Sequence, residues 1–114
     1  MRRALVAAAC VLIWACGETT LEPLPLSIDL QANRTSATPG DTIQFVVRAE
    51  GGTLLGIDMD YGDGETAQLG TSGARTARAT FSHVYLTKGS FQVQSTITDA
   101  SAGSKSAGIV IAVN

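Results

Sequence analysis

Apolar residues recur at every second position through most of this 114-residue sequence. A period of two places alternate side chains on opposite faces of a strand, and an amphipathic helix cannot use it. Ile28 and Leu30 alternate with Asp29 and Gln31. Ile43, Phe45 and Val47 alternate with Gln44, Val46 and Arg48, and Ile57, Met59 and Tyr61 with Asp58 and Asp60. Ala77, Ala79 and Phe81 alternate with Thr76, Arg78 and Thr80. Phe91, Val93, Ser95 and Ile97 alternate with glutamine and threonine, and Ile109, Ile111 and Val113 form a last run. Each run predicts a strand with one buried face, and a short seventh strand is expected at Thr66 to Leu69. Turn signals separate the runs: Thr38-Pro39-Gly40-Asp41, Gly51-Gly52, Gly62-Asp63-Gly64, Lys88-Gly89 and Ala102-Gly103. The pattern predicts an all-β, two-sheet antiparallel β-sandwich of about seven strands. Its inward phase places Phe45, Phe91, Val93, Ile97 and Ile111 in the core. Leu54 is out of phase with Leu55, Ile57 and Met59, so exposure is expected for it.

The N-terminal segment has a different composition. Two arginines, Arg2 and Arg3, precede an apolar run from Ala4 to Ala15, followed by Cys16. At about 1.5 Å per residue, the run spans roughly 18 Å as a helix, against roughly 30 Å of hydrocarbon in a bilayer. It reads as an export signal. Ile13-Trp14-Ala15-Cys16 resembles a bacterial lipobox, with an aliphatic residue three before the cysteine and a small residue just before it. Trp14 is bulkier than the pattern usually carries. The resemblance implies cleavage before Cys16 and lipid on its sulfur. The expected organisation is a lipoprotein signal peptide over 1–15, a lipidated cysteine and flexible tether over 16–25, and one β-sandwich domain over 26–114. The expected location is the cell envelope, exported and lipid-anchored, on the periplasmic face of a membrane or at the cell surface.

No cysteine follows position 16, so the domain has no disulfide and no thiol chemistry. Without Arg2 and Arg3, six basic residues face ten acidic ones, a net charge of about −4. No basic cluster is present, which disfavours nucleic acid as a partner.

Four blocks occur in order: Asp60-Tyr61-Gly62-Asp63-Gly64, His83-Val84-Tyr85, Gly89-Ser90-Phe91-Gln92-Val93 and Ile97-Thr98-Asp99. Together they resemble the PKD (polycystic-kidney-disease-type) domain, from about Ile28 to Val113. That resemblance implies an immunoglobulin-like sandwich in which Asp60, Tyr61, Gly62, Asp63, Gly64, His83, Tyr85, Gly89 and Asp99 are structural. Met59 stands where the family usually has tryptophan, and it keeps the inward phase. Tyr85 precedes a strand at a sheet-crossing corner, where its ring can pack inside and its hydroxyl can reach backbone.

Asp58, Asp60 and Asp63 are three carboxylates within six residues, a donor set that calcium could use. Alternation, however, points Asp58 and Asp60 outward, and Asp63 belongs to a turn, so neither metal nor other cofactor is expected. His83 and Ser82 are strand neighbours on opposite faces and make no nucleophile–base pair. No catalytic constellation is present, and the protein is not expected to be an enzyme. The expected function is a non-catalytic, lipid-anchored binding module for protein contacts at the cell envelope. One alternative is a small structural subunit that steadies a larger membrane complex. Another is polysaccharide or matrix binding, disfavoured because Trp14 lies in the signal and Tyr61 and Tyr85 face inward. The first strand should start at the end carrying the loops 50–56 and 100–105. The opposite end is expected to offer Asp41, Asp63, His83 and Lys88 to a partner.

Overall fold

A computed structural model describes residues 25–114. The expected signal peptide and, up to residue 24, the expected tether with Cys16 lie outside the described residues. Six strands follow in chain order: β1 (Ser27–Ala32), β2 (Ser36–Ala37), β3 (Thr42–Asp60), β4 (Thr66–Val84), β5 (Gly89–Asp99) and β6 (Gly103–Val113). β3 and β4, 19 residues each, pass through both layers of the sandwich. In the first layer, β1 pairs with the first half of β3, which pairs with the second half of β4. In the second layer, the second half of β3 lies between the first half of β4 and β5. β6 then pairs with β5, and β2 adds a short parallel edge to β6.

The six strands are close to the expected number of about seven, but two pairs of expected runs merge and the short β2 is added. The two runs expected at 43–47 and 57–61 are one strand, as are those at 66–69 and 76–81. Gly51-Gly52 is not a turn. It is the point where β3 crosses from one layer to the other without losing its extended backbone.

That crossing also corrects the expectation for Leu54, which is fully buried, whereas Leu55 is 51% exposed. Leu54 stands opposite Asp99 and Gly56 opposite Thr98, so two residues of β3 advance against one of β5. The extra residue is a β-bulge, and it inverts the side-chain phase along the strand. Leu54 thereby joins the core with Ile43, Phe45, Val47, Ile57, Met59, Val93, Ile97 and Ile111. Four of the five expected core residues are fully buried. Phe91 is only half-buried, because it sits near the open rim of β5 and packs against the cluster from one side. Ser95, within the inward series, is fully buried and its hydroxyl donates to the Asp58 carbonyl oxygen at 3.3 Å.

The bulge predicts opposite outcomes for adjacent leucines. Leu54→Ala should lower unfolding free energy by about 2–5 kcal/mol. Leu55→Ala should change it by less than about 0.5 kcal/mol. Urea titrations of the two variants check this, and equal effects would mean the phase is not inverted.

Candidate functional site

The two ends of the sandwich carry different chemistry. At the end where β1 begins, Asp99 closes β5 and is 3% exposed. One carboxylate oxygen accepts from the Thr53 amide at 2.7 Å. The other accepts from the Ser101 and Ala102 amides at 2.9 and 3.0 Å and from the Ser101 hydroxyl at 3.0 Å. The amides of Ser101, Thr53 and Ala102 hold the carboxyl far below the usual carboxylate range, against the opposing pull of burial. Gly51 is required beside it: a Cβ there would lie 2.8 Å from both Asp99 Oδ2 and a Leu54 methyl. Leu26, where the described chain begins to pack, lies at this end, its carbonyl oxygen accepting from Lys105 Nζ at 3.3 Å.

The opposite end gathers the turns 38–41, 61–65 and 85–88. The Gly40 amide donates to the Tyr85 carbonyl oxygen at 2.9 Å, which ties two of them together. In the turn after β3, Asp60 Oδ1 accepts from the Gly62 amide at 2.9 Å, and Asp63 Oδ1 from the Glu65 amide at 3.1 Å. Gly62 has φ +84°, and a Cβ on it would fall 2.6 Å from the Gln92 carbonyl oxygen, so only glycine fits. Behind the turn the rings of Phe45, Tyr61, His83, Tyr85 and Phe91 make one continuous array. Tyr61 and His83 stack with centroids 4.0 Å apart, and His83 meets Tyr85 edge-on at 4.7 Å. Tyr85 stacks on Phe91 at 4.5 Å, and Phe45 tilts against Tyr61 at 5.8 Å. The Tyr85 hydroxyl donates to the Tyr61 carbonyl oxygen at 2.7 Å, the corner contact expected for it. Burial, reinforced by the Asp63 charge, pushes the Tyr61 and Tyr85 phenols up.

These contacts change what the end can offer. His83 is 8% exposed, and its Nε2 lies 2.7 Å from Asp63 Oδ2. It therefore does not face a partner, because its ring is enclosed by two tyrosines and its nitrogen is engaged. Partial burial raises the Asp63 carboxyl, but the His83 hydrogen bond and the Glu65 amide outweigh it and hold it below its ordinary value. Asp41 is partly exposed and accepts from the Thr38 amide and hydroxyl at 3.0 and 2.9 Å. Those two bonds, with the Arg34 guanidinium 3.5 Å away, lower its carboxyl. Lys88 is exposed. Leu86, which the alternation did not single out, is 79% exposed beside it. Asp58 and Asp60 face solvent, while Asp63 is turned toward His83. Among the described residues, no three His, Cys, Asp or Glu side chains gather as a metal-holding group.

The PKD domain family matches residues 27–113, nearly the whole described chain. The chain belongs to that family. PKD domains are typically non-catalytic interaction modules. No curated protein sequence matches this one. Among solved structures, the PKD domain of an M14-like peptidase from a Thermoplasmatales archaeon is similar with a TM-score of 0.69 and 18% identity, covering 81% of this chain and 98% of that one. The PKD domain of the human receptor SorCS2 has a TM-score of 0.59 and 24% identity, over 81% of this chain and 74% of that one. A CARDB domain of the PF1109 protein from Pyrococcus furiosus, solved with di-metal ions, has a TM-score of 0.59 at 10% identity, over 80% and 93%. At such identities the likeness is one of fold. In this PKD domain the motif residues Tyr61, Gly62, Asp63, His83 and Tyr85 hold one end together, and Asp99 holds the other.

Because the Asp99 carboxyl lies below its unfolded-state value, its stabilisation is fully present above that value, about 3.9. It is lost as pH falls below that value toward the depressed native one. Asp99→Asn should lower the urea midpoint at neutral pH. The gap to the unaltered protein should narrow as pH falls from about 5 to about 3. A gap that stays constant with pH would remove Asp99 ionisation as its source.

Proposed function

We propose that this PKD domain is a non-catalytic binding module, lipid-anchored through Cys16 at the cell envelope, that makes protein contacts with the end opposite its tether. The observation that carries this reading is the internal commitment of its chemically active side chains. The imidazole of His83, the carboxylate of Asp63 and the phenol of Tyr85 all serve one packed array. Outward at that end are Leu86 and Lys88, with the exposed Asp60 and Glu65 and the partly exposed Asp41, an apolar contact among charges of both signs. That composition suits a protein surface, and it requires no cofactor. Tyr61 and Tyr85 are buried, which leaves no stacking platform for a sugar ring there. A structural subunit of a larger membrane complex is the second reading, and a single exposed leucine beside charged turns serves it equally.

Anchoring is tested first. The full chain should fractionate with membranes and carry acyl chains on Cys16 by mass spectrometry, and Cys16→Ser should lose both. Orientation is tested by fluorescent labels on Thr87→Cys and Ala102→Cys in reconstituted protein. A lipid-borne quencher should darken the label at 102 more than that at 87. The reverse order would place the Leu86 end at the membrane and remove it as the partner surface. Isolation in mild detergent separates the two readings, since fixed stoichiometric recovery with one complex identifies a subunit.

A further inference from the structure

The first layer carries a second feature on its solvent face. Ser27 to Asp29 of β1, Arg48 to Glu50 of β3 and Thr76 to Arg78 of β4 line an open hollow of about 430 Å³. All belong to three neighbouring strands, and none to the facing layer. The inward residues Ile28, Ala49 and Ala77 therefore give the hollow its backbone floor. Two cross-strand rows make its walls: Ser27–Glu50–Thr76 and Asp29–Arg48–Arg78.

Arg48 stands directly opposite Arg78. Like charges so placed repel and destabilise a sheet. Among the described residues the ion pairs are Arg34–Asp41 and His83–Asp63, so neither arginine is paired with a carboxylate. Two guanidinium forks over one hollow are a donor set suited to a phosphate. Glu50 lies on the same face two residues along β3, about 7 Å from Arg48 at the rise of a strand. It is flanked by the hydroxyl residues Ser27 and Thr76, all acceptors for an ammonium. An ethanolamine link is short enough to join the two positions. Asp29 stands beside Arg48 and competes for it, which makes Arg78 the freer phosphate donor. Two acids and two bases cancel, so the hollow favours a zwitterion over a polyanion.

We propose that this hollow binds a phosphoethanolamine group, with the phosphate between Arg48 and Arg78 and the ammonium against Glu50. The source is either free phosphoethanolamine or the headgroup of phosphatidylethanolamine. The hollow adjoins Leu26, where the chain arrives from its N-terminal segment, and the headgroup source alone rests on the lipid-anchor reading.

The test uses the full chain in an uncharged sugar detergent. Arginine Nε–H resonances are followed by NMR while O-phosphoethanolamine or inorganic phosphate is added. Saturable shifts at Arg48 and Arg78 are expected with both. Arg78→Gln, on an exposed edge strand, should weaken both ligands by about tenfold. Glu50→Gln should weaken phosphoethanolamine by about tenfold and spare phosphate, while Asp29→Asn should tighten phosphate. In nanodiscs of phosphatidylglycerol with and without phosphatidylethanolamine, the same shifts without added ligand assign the source to the lipid. Shifts only with the free ligand assign it to a soluble molecule. No saturable shift with O-phosphoethanolamine, or binding untouched by Arg78→Gln, overturns the site. Equal losses of both ligands in Glu50→Gln overturn the ammonium half. A Cys16→Ser protein that still reaches the membrane overturns the anchor and leaves binding of the free ligand standing.

Discussion

The carboxylate of Asp99 is the contact on which one end of this sandwich depends. Four donors from two separate segments converge on it, the Thr53 amide from the β3 crossing and three groups from the β5–β6 turn. A buried carboxylate is costly unless hydrogen bonds compensate it, so the backbone around Asp99 can adopt few other paths. Gly51 makes room for that carboxylate, and Leu54 packs where the bulge turns it inward. The Ala100 amide adds a bond to the Thr53 carbonyl oxygen at 2.9 Å. These ties fasten the 19-residue strand at the point, Gly51-Gly52, where it changes layers.

The far end solves the same problem with rings instead of amides. Tyr85 bonds the Tyr61 carbonyl oxygen from inside, and His83 fills the space between the two phenols. Asp63 reaches in from the turn to meet the histidine, so the turn is fastened to the core by a side chain as well as by its own amides. The consequence for function is subtractive. Groups that a sequence alone would rank as reactive are consumed in holding the scaffold. What stays exposed instead are turn residues such as Leu86 and Lys88 and the outer faces of the sheets.

Those outer faces differ in charge. The solvent face of β1, β3 and β4 in the first layer sets Arg48 and Arg78 beside Asp29 and Glu50. On the second layer, Asp58 and Asp60 of β3 lie among Thr66, Gln68, Gln94 and Thr96 with no cationic neighbour in their cross-strand rows. This PKD domain thus presents two chemically distinct sheet surfaces and a rim of turns. Any partner that reads charge can tell them apart at short range.

Much of the fold was legible in the residues. Period-two alternation determined that the described part of the chain is all-β, and it chose the inward face of Ile43 to Val47, Ile57 to Tyr61 and Val93 to Ile97, because side chains on a pleat have no other geometry. The motif around Asp60 to Gly64 with His83 and Tyr85 determined the family, and the Tyr85 corner contact followed from it. Alternation carries no information on where two runs join without a turn, on which residue a bulge inserts, or on which polar side chain a distant amide will claim. The structure alone decided that Leu54 is core and Leu55 is surface, because a pairing shift against Asp99 and Thr98 inverts the phase between them. It also decided that the ring nitrogen of His83, which lies in phase with Phe81 and Tyr85, is engaged rather than free, because Asp63, 20 residues earlier in the chain, arrives to bond it.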